Sequence, residues 1–203
     1  KRKTSWTETV TPDNVWHSYP RPQLKRSEWI NLNGLWSYAV TNMETPRKKV
    51  CYDGEILVPF AIESSLSGVQ KVFLPTDKLW YQLEFTVKPS WKGKQIILHF
   101  GAVDYECNVW VNGKMVGAHK GGNNSFSFDI TKYLKGNGKQ TLELSVTDPT
   151  DEESVSRGKQ QLNQKGIWYT PVSGIWKTVW VEAVNKEHIR QILPGAHIHA
   201  GKV

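Results

Sequence analysis

The chain has 203 residues, a net charge of +7 and 11% aromatic residues, ten of them Trp. At this length about 70% of the unfolded surface can be buried, so a core needs neither a disulfide framework nor a structural metal. Lys and Arg are scattered, with small knots at Lys1–Lys3, Lys25–Arg26 and Arg47–Lys49, which reads as surface solvation and argues against specific nucleic-acid binding.

In chain order, residues 1–28 are polar and contain Tyr19-Pro20-Arg21-Pro22, the pattern of an extended arm laid over a domain. No apolar run approaches the roughly 20 residues of a membrane span, and no signal peptide opens at Lys1, so a mature or trimmed piece of something longer is expected. Cys51 and Cys107 lack CxxC partners; a disulfide between them stays open, and Cys107 reads as a small buried hydrophobe within a strand. Residues 60–79 read as an irregular connection.

From there the period is two. Tyr81, Leu83, Phe85 and Val87 alternate with polar neighbours, as do Ile96, Leu98 and Phe100. Cys107, Val109 and Val111 do the same, followed by Leu142, Leu144 and Val146, and then by Val179, Val181 and Ala183. Five such runs predict half-buried strands. Turn chemistry separates them: Pro89–Lys94, the hairpin pair Asn112-Gly113, and Lys135–Lys139 around Gly136-Asn137-Gly138. The helix signals reduce to one turn over residues 129–134, with Asp129 as N-cap. Residues 148–170 form a polar loop longer than the roughly 15 residues usual in a compact domain, and such loops are commonly functional. The predicted fold is an all-β sandwich with at most one or two short helical turns.

Catalytic signatures are missing. A glycosidase needs two carboxylates about 5–10 Å apart, and no Asp or Glu stands in such a setting. Glu152-Glu153 reads as a solvated pair. There is no Gly-x-Ser-x-Gly elbow and no phosphate loop. His197-Ile198-His199 lacks further ligands nearby, so neither a metal nor another cofactor is expected. Asn123-Asn124-Ser125 fits a glycosylation sequon. Aromatic pairs offer another route to sugar, because a sugar's C–H face stacks on an exposed ring: Trp80-Tyr81, Trp168-Tyr169 and Trp176/Trp180. On alternating strands one of each pair points inward, so core or interface packing accounts for most of them.

Several segments together resemble the N-terminal sugar-binding domain of glycoside hydrolase family 2, which holds β-galactosidases, β-glucuronidases and β-mannosidases. They are Leu32-Asn33-Gly34-Leu35-Trp36, Val58-Pro59-Phe60, the 79–85 strand, Leu98–Asp104 running into Val109–Lys114, Gly121-Gly122 with Phe126–Thr131, and Ser173-Gly174-Ile175-Trp176 through Glu182. The resemblance covers about residues 27–184. It implies a jelly roll similar to galactose-binding domains, followed in the parent protein by an immunoglobulin-like domain and a (β/α)₈ barrel. The catalytic glutamates belong to that barrel, whose Asn-Glu motif is absent here.

In β-galactosidases of this family the loop before Ser-Gly-Ile lends residues to the barrel's sugar pocket. Here Gly166–Val172 stands where some relatives carry an Asp. The candidates for sugar or domain contact are therefore Asp148, Arg157, Lys159, Gln160, Trp168 and Tyr169, with no catalytic residue in the chain. The expected organisation is an arm over 1–26, a jelly roll over 27–184, and a linker or following domain over 185–203. The expected function is the non-catalytic front domain of a retaining β-glycosidase, partly lining its sugar site, with carbohydrate and the following domains as partners. A periplasmic or secreted setting follows from the family's polysaccharide-degrading members. Two rivals remain: a free-standing carbohydrate-binding module, which needs exposed coplanar aromatics, and an architectural β-sandwich, which needs no polar groups around its aromatic face.

Overall fold

Strand-forming residues fill two facing sheets in the computed structural model, which describes residues 5–136 and 138–195. Twelve strands run in order: β1 Trp29–Asn31, β2 Gly34–Asn42, β3 Gly54–Val58, β4 Asp77–Thr86, β5 Gln95–Phe100 and β6 Val103–Asp104. They continue as β7 Glu106–Val111, β8 Lys114–Lys120, β9 Phe126–Asp129, β10 Lys139–Thr147, β11 Gly174–Ile175 and β12 Val179–Val184. One sheet has the order β1-β12-β5-β9 and the other β3-β2-β4-β10-β7-β8, with β11-β6 as a small ribbon. Every strand pairing is antiparallel. The chain passes back and forth between the sheets, which makes the sandwich a jelly roll.

The five alternating runs are strands, and their apolar members form the layer between the sheets. Tyr81, Leu98, Val109, Leu144 and Val181 are fully buried there. Each such side chain contributes about 1.5–3 kcal/mol by leaving water. The opening motif has a physical reason at each position. Asn33 accepts from the Val179 amide at 3.0 Å and so ties β1–β2 to β12. Gly34 adopts φ +124°, closed to other residues, and Trp36 is buried with its Nε1 donating to Leu32 O at 2.7 Å. Asn112 and Gly113 both take positive φ and turn β7 into β8.

Three expectations change, and the open question of the two cysteines closes. Helical structure among the described residues amounts to five single 3₁₀ turns, not one or two. The turn after Asp129 is Thr131–Tyr133, so Ile130 occupies the cap position, while Asp129 Oδ1 still accepts from the Thr131 amide at 2.9 Å. Cys51 is an exposed thiol and Cys107 a buried one, unpaired; burial pushes the Cys107 thiol up to about 12. Two basic knots are engaged rather than merely solvated: Arg47 bonds Glu143, and Arg26 lies 3.7 Å from Glu182. His197 and His199, the Lys1–Lys3 knot and Asn137 lie outside the described residues.

Strand β12 is buried on both faces, whereas alternation predicts one. The second cover is the arm. Tyr19 crosses the outer face of the four-stranded sheet, its ring edge-on to Trp29 at 5.3 Å and to Trp180 at 6.5 Å. Asn31 pins the arm through Trp16 O at 2.7 Å. Among the described residues no helix is long and apolar enough to cross a membrane.

Candidate functional site

At one end of the sandwich, several loops meet around Ser173, which is fully buried. Its amide donates to Glu63 Oε2 at 3.0 Å and its hydroxyl to Asp148 Oδ2 at 2.7 Å. Asp148 Oδ1 accepts from the Thr150 amide at 2.7 Å. Gly174 follows because nothing larger fits: its φ is +85°, and a Cβ there would lie 2.1 Å from the Tyr81 hydroxyl. That hydroxyl accepts from the Ile175 amide at 3.2 Å. The Ser-Gly-Ile motif is thus a knot joining the 60s connection, β4 and the long loop.

Beside the knot, β6 presents Asp104, only 6% exposed. Gln160 Nε2 donates to Asp104 Oδ2 at 3.2 Å, and Gln160 Oε1 accepts from the Val172 amide at 2.5 Å. One glutamine therefore staples both arms of the 148–170 loop to the strand carrying Asp104. Gly122 backs the carboxyl from the other side, and a Cβ there would approach it to 2.5 Å. The Trp176 indole holds Gly122 by donating to its carbonyl at 2.7 Å.

The electrostatics follow from burial without cations. Burial pushes the Asp104 carboxyl up to about 7, helped by the nearby Asp148 charge and opposed by the Gln160 bond. Burial also lifts Glu63 to about 7 against the Ser173 bonds, and raises Asp148 against its bonds to Ser173 and Thr150. Both Asp148 oxygens are occupied, while Glu63 is tied to Ser173 through Oε2 and its buried Oε1 has no partner among the described residues. The arrangement can donate and accept hydrogen bonds to hydroxyls at neutral pH. Among the described residues no three His, Cys, Asp or Glu side chains gather to hold a metal ion.

The six candidate residues divide. Asp148 and Gln160 lie inside this network, Asp148 as a loop anchor. Lys159 and Tyr169 sit together at its rim, the ammonium 6.0 Å from the ring centre, and Tyr169 N bonds Lys159 O at 2.8 Å. Trp168 is 37% and Tyr169 65% exposed, so a stacking face is open. Arg157 lines a shallow pocket with Asp151–Glu153, and its carbonyl accepts from the Gln160 amide at 3.3 Å. Trp80 and Trp180 are buried, although alternation with Tyr81, Val179 and Val181 places both on the outer faces of their strands. Asp104 and Glu63 escaped the sequence reading. For Asp104 the signal was there: an acid closing the apolar run Phe100–Val103, three residues before the next strand's Cys107.

Residues 52–182 match the family described as "Glycosyl hydrolases family 2, sugar binding domain". The chain belongs to this family. A β-galactosidase of Thermoanaerobacter pseudethanolicus is 35% identical over 114 residues, 56% of this chain and 14% of that protein. A β-glucuronidase of Paenibacillus borealis is 25% identical over 146 residues, 70% of this chain and 24% of its own. The family 2 domain described here thus spans between a seventh and a quarter of these two relatives. The fold matches a solved β-glucuronidase of Ruminococcus gnavus with a TM-score of 0.63 and 21% identity, covering 80% of this chain and 30% of that one.

Proposed function

We propose that the chain is the non-catalytic front domain of a β-glycosidase. Its loop end, with Asp104, Gln160, Trp168 and Tyr169, lines the sugar site of a (β/α)₈ barrel elsewhere in the parent protein. The observation that carries this is the Asp104 carboxyl, buried without a cationic partner, held by Gln160 beside two exposed aromatic rings. Such a carboxyl orients sugar hydroxyls, and the rings take a sugar's C–H face. The relatives named β-galactosidase and β-glucuronidase support the reaction class. In this reading residues 1–26 are an arm, 27–184 the jelly roll, and 185–203 lead toward the following immunoglobulin-like and barrel domains.

The test has two parts. The purified chain alone leaves nitrophenyl β-glycosides unhydrolysed. In the parent enzyme, Asp104→Ala and Tyr169→Ala raise KM for the glycoside more than they lower kcat. Hydrolysis by the isolated chain, or unchanged kinetics in both variants, contradicts the reading.

A further inference from the structure

Away from the loop end, the outer face of the four-stranded sheet floors a groove of about 1430 Å³, walled by the arm on one side and by residues 188–192 on the other. Pockets for a single small molecule run to about 300–1,000 Å³, so this one has room for several sugar units. Trp16 stands on the arm wall, 65% exposed, and Trp176 lies across from it with the Lys177 ammonium 4.6 Å from its ring centre. Aromatic walls of this kind take the apolar face of a pyranose.

The charge around the groove is one-sided. Arg21, Arg26, Lys177 and Arg190 line it against two carboxylates, Glu182 and Asp129. Glu182 is already held by Arg21, Tyr19 and Arg26. Asp129 is already held by the Thr131 amide and hydroxyl. No carboxylate among the described residues pairs with Lys177 or Arg190, and both are exposed.

We propose that this groove is a second saccharide site and that it takes an anionic oligosaccharide. Trp16 and Trp176 hold the rings, while Lys177 and Arg190 hold the acidic groups. Trp176 also touches the loop end through Gly122, but Trp16, Lys177 and Arg190 belong to the groove, so the proposal stands or falls without the sugar-lining role of Asp104.

Calorimetric titration at low salt tests this, using a short β-linked oligoglucuronate and the neutral β-linked oligoglucoside of the same length. The oligoglucuronate binds at least about tenfold tighter than the neutral ligand. The double variant Lys177→Gln/Arg190→Gln, which changes only exposed side chains, removes that advantage. Trp16→Ala weakens both ligands, and Tyr169→Ala weakens neither. No binding of the oligoglucuronate, equal binding of the two ligands, or an advantage that survives the double variant overturns the proposal. Loss of binding in Tyr169→Ala also overturns it, because the ligand then sits at the loop end.

Discussion

Two sets of buried acids in this sandwich meet opposite fates. Under the arm, burial alone would raise the Glu182 carboxyl, but His99, Tyr19 and Arg21 hold it at about 2. Tyr19 donates to it at 2.6 Å, Arg21 bonds its other oxygen, and His99 Nε2 lies 3.1 Å away. The His99 imidazole, stacked on Trp180 at 4.7 Å, is pushed below its ordinary value by burial. At the loop end, Asp104 and Glu63 have amides, a hydroxyl and each other's acidic neighbour, but no cation, and both rise to about 7. The difference separates a clasp whose acid is paired with cations from a loop end whose acids are not. A carboxylate that is permanently ionised and fully engaged fastens an arm, while one poised at neutral pH remains available to a ligand.

The largest effect expected from breaking the comparison is at the clasp. Glu182→Ala leaves Arg21 and Arg26 facing each other without their shared counter-ion, at a cost of about 3–5 kcal/mol in urea unfolding. Unfolding free energy within about 1 kcal/mol of the unaltered chain would show that the arm is not held by this carboxylate.

Next in size is a two-sided pH profile of stability. Glu182 is depressed in the folded state, so its contribution is complete above about pH 4.5 and is lost as pH falls toward 2. Asp104 and Glu63 are raised, so the folded state holds more protons between about pH 4 and 7, and stability falls as pH climbs through that window. These three carboxyls together favour pH 4–5; Asp148, also raised, adds to the neutral limb, and His99, pushed down, opposes it. Glu182→Gln removes the acid limb, and Asp104→Asn with Glu63→Gln removes the neutral limb. A profile between pH 4 and 7 that Asp104→Asn with Glu63→Gln leaves unchanged would contradict the account of the loop end.

Smaller still is Gly122→Ala, which pushes a methyl into the Asp104 carboxyl at 2.5 Å and destabilises by about 1–3 kcal/mol. The smallest effect is at the rim. Tyr169→Ala changes thermal stability by no more than about 0.5 kcal/mol, because the ring is 65% exposed. A larger loss there would make Tyr169 a packing residue and leave the stacking face without a role.

The sheets were legible in the sequence because alternation is a local pattern: residues 96–100 and 142–146 state their own buried face. The Asn112-Gly113 turn was legible for the same reason, since φ is a property of one residue. The second cover of β12 was not, because Trp180 and Glu182 read as an outer face until Tyr19 and Arg21 arrive from about 160 positions away. Asp148 and Gln160 came out of the sequence as members of a long loop. The bond of Gln160 to Asp104 and the joining of Asp148 to Glu63 through Ser173 are non-local events that spacing does not encode. The contact of Lys159 with Tyr169 across ten residues is likewise set by the loop's path, which spacing does not encode.

The most direct test is a side-chain carboxyl ¹³C NMR titration of the intact chain from pH 2 to 9. The account predicts an Asp104 midpoint of about 7 and a Glu182 midpoint of about 2 in the same sample. Ordinary midpoints for both, near the values of a free carboxylic acid, would erase the contrast between clasp and loop end.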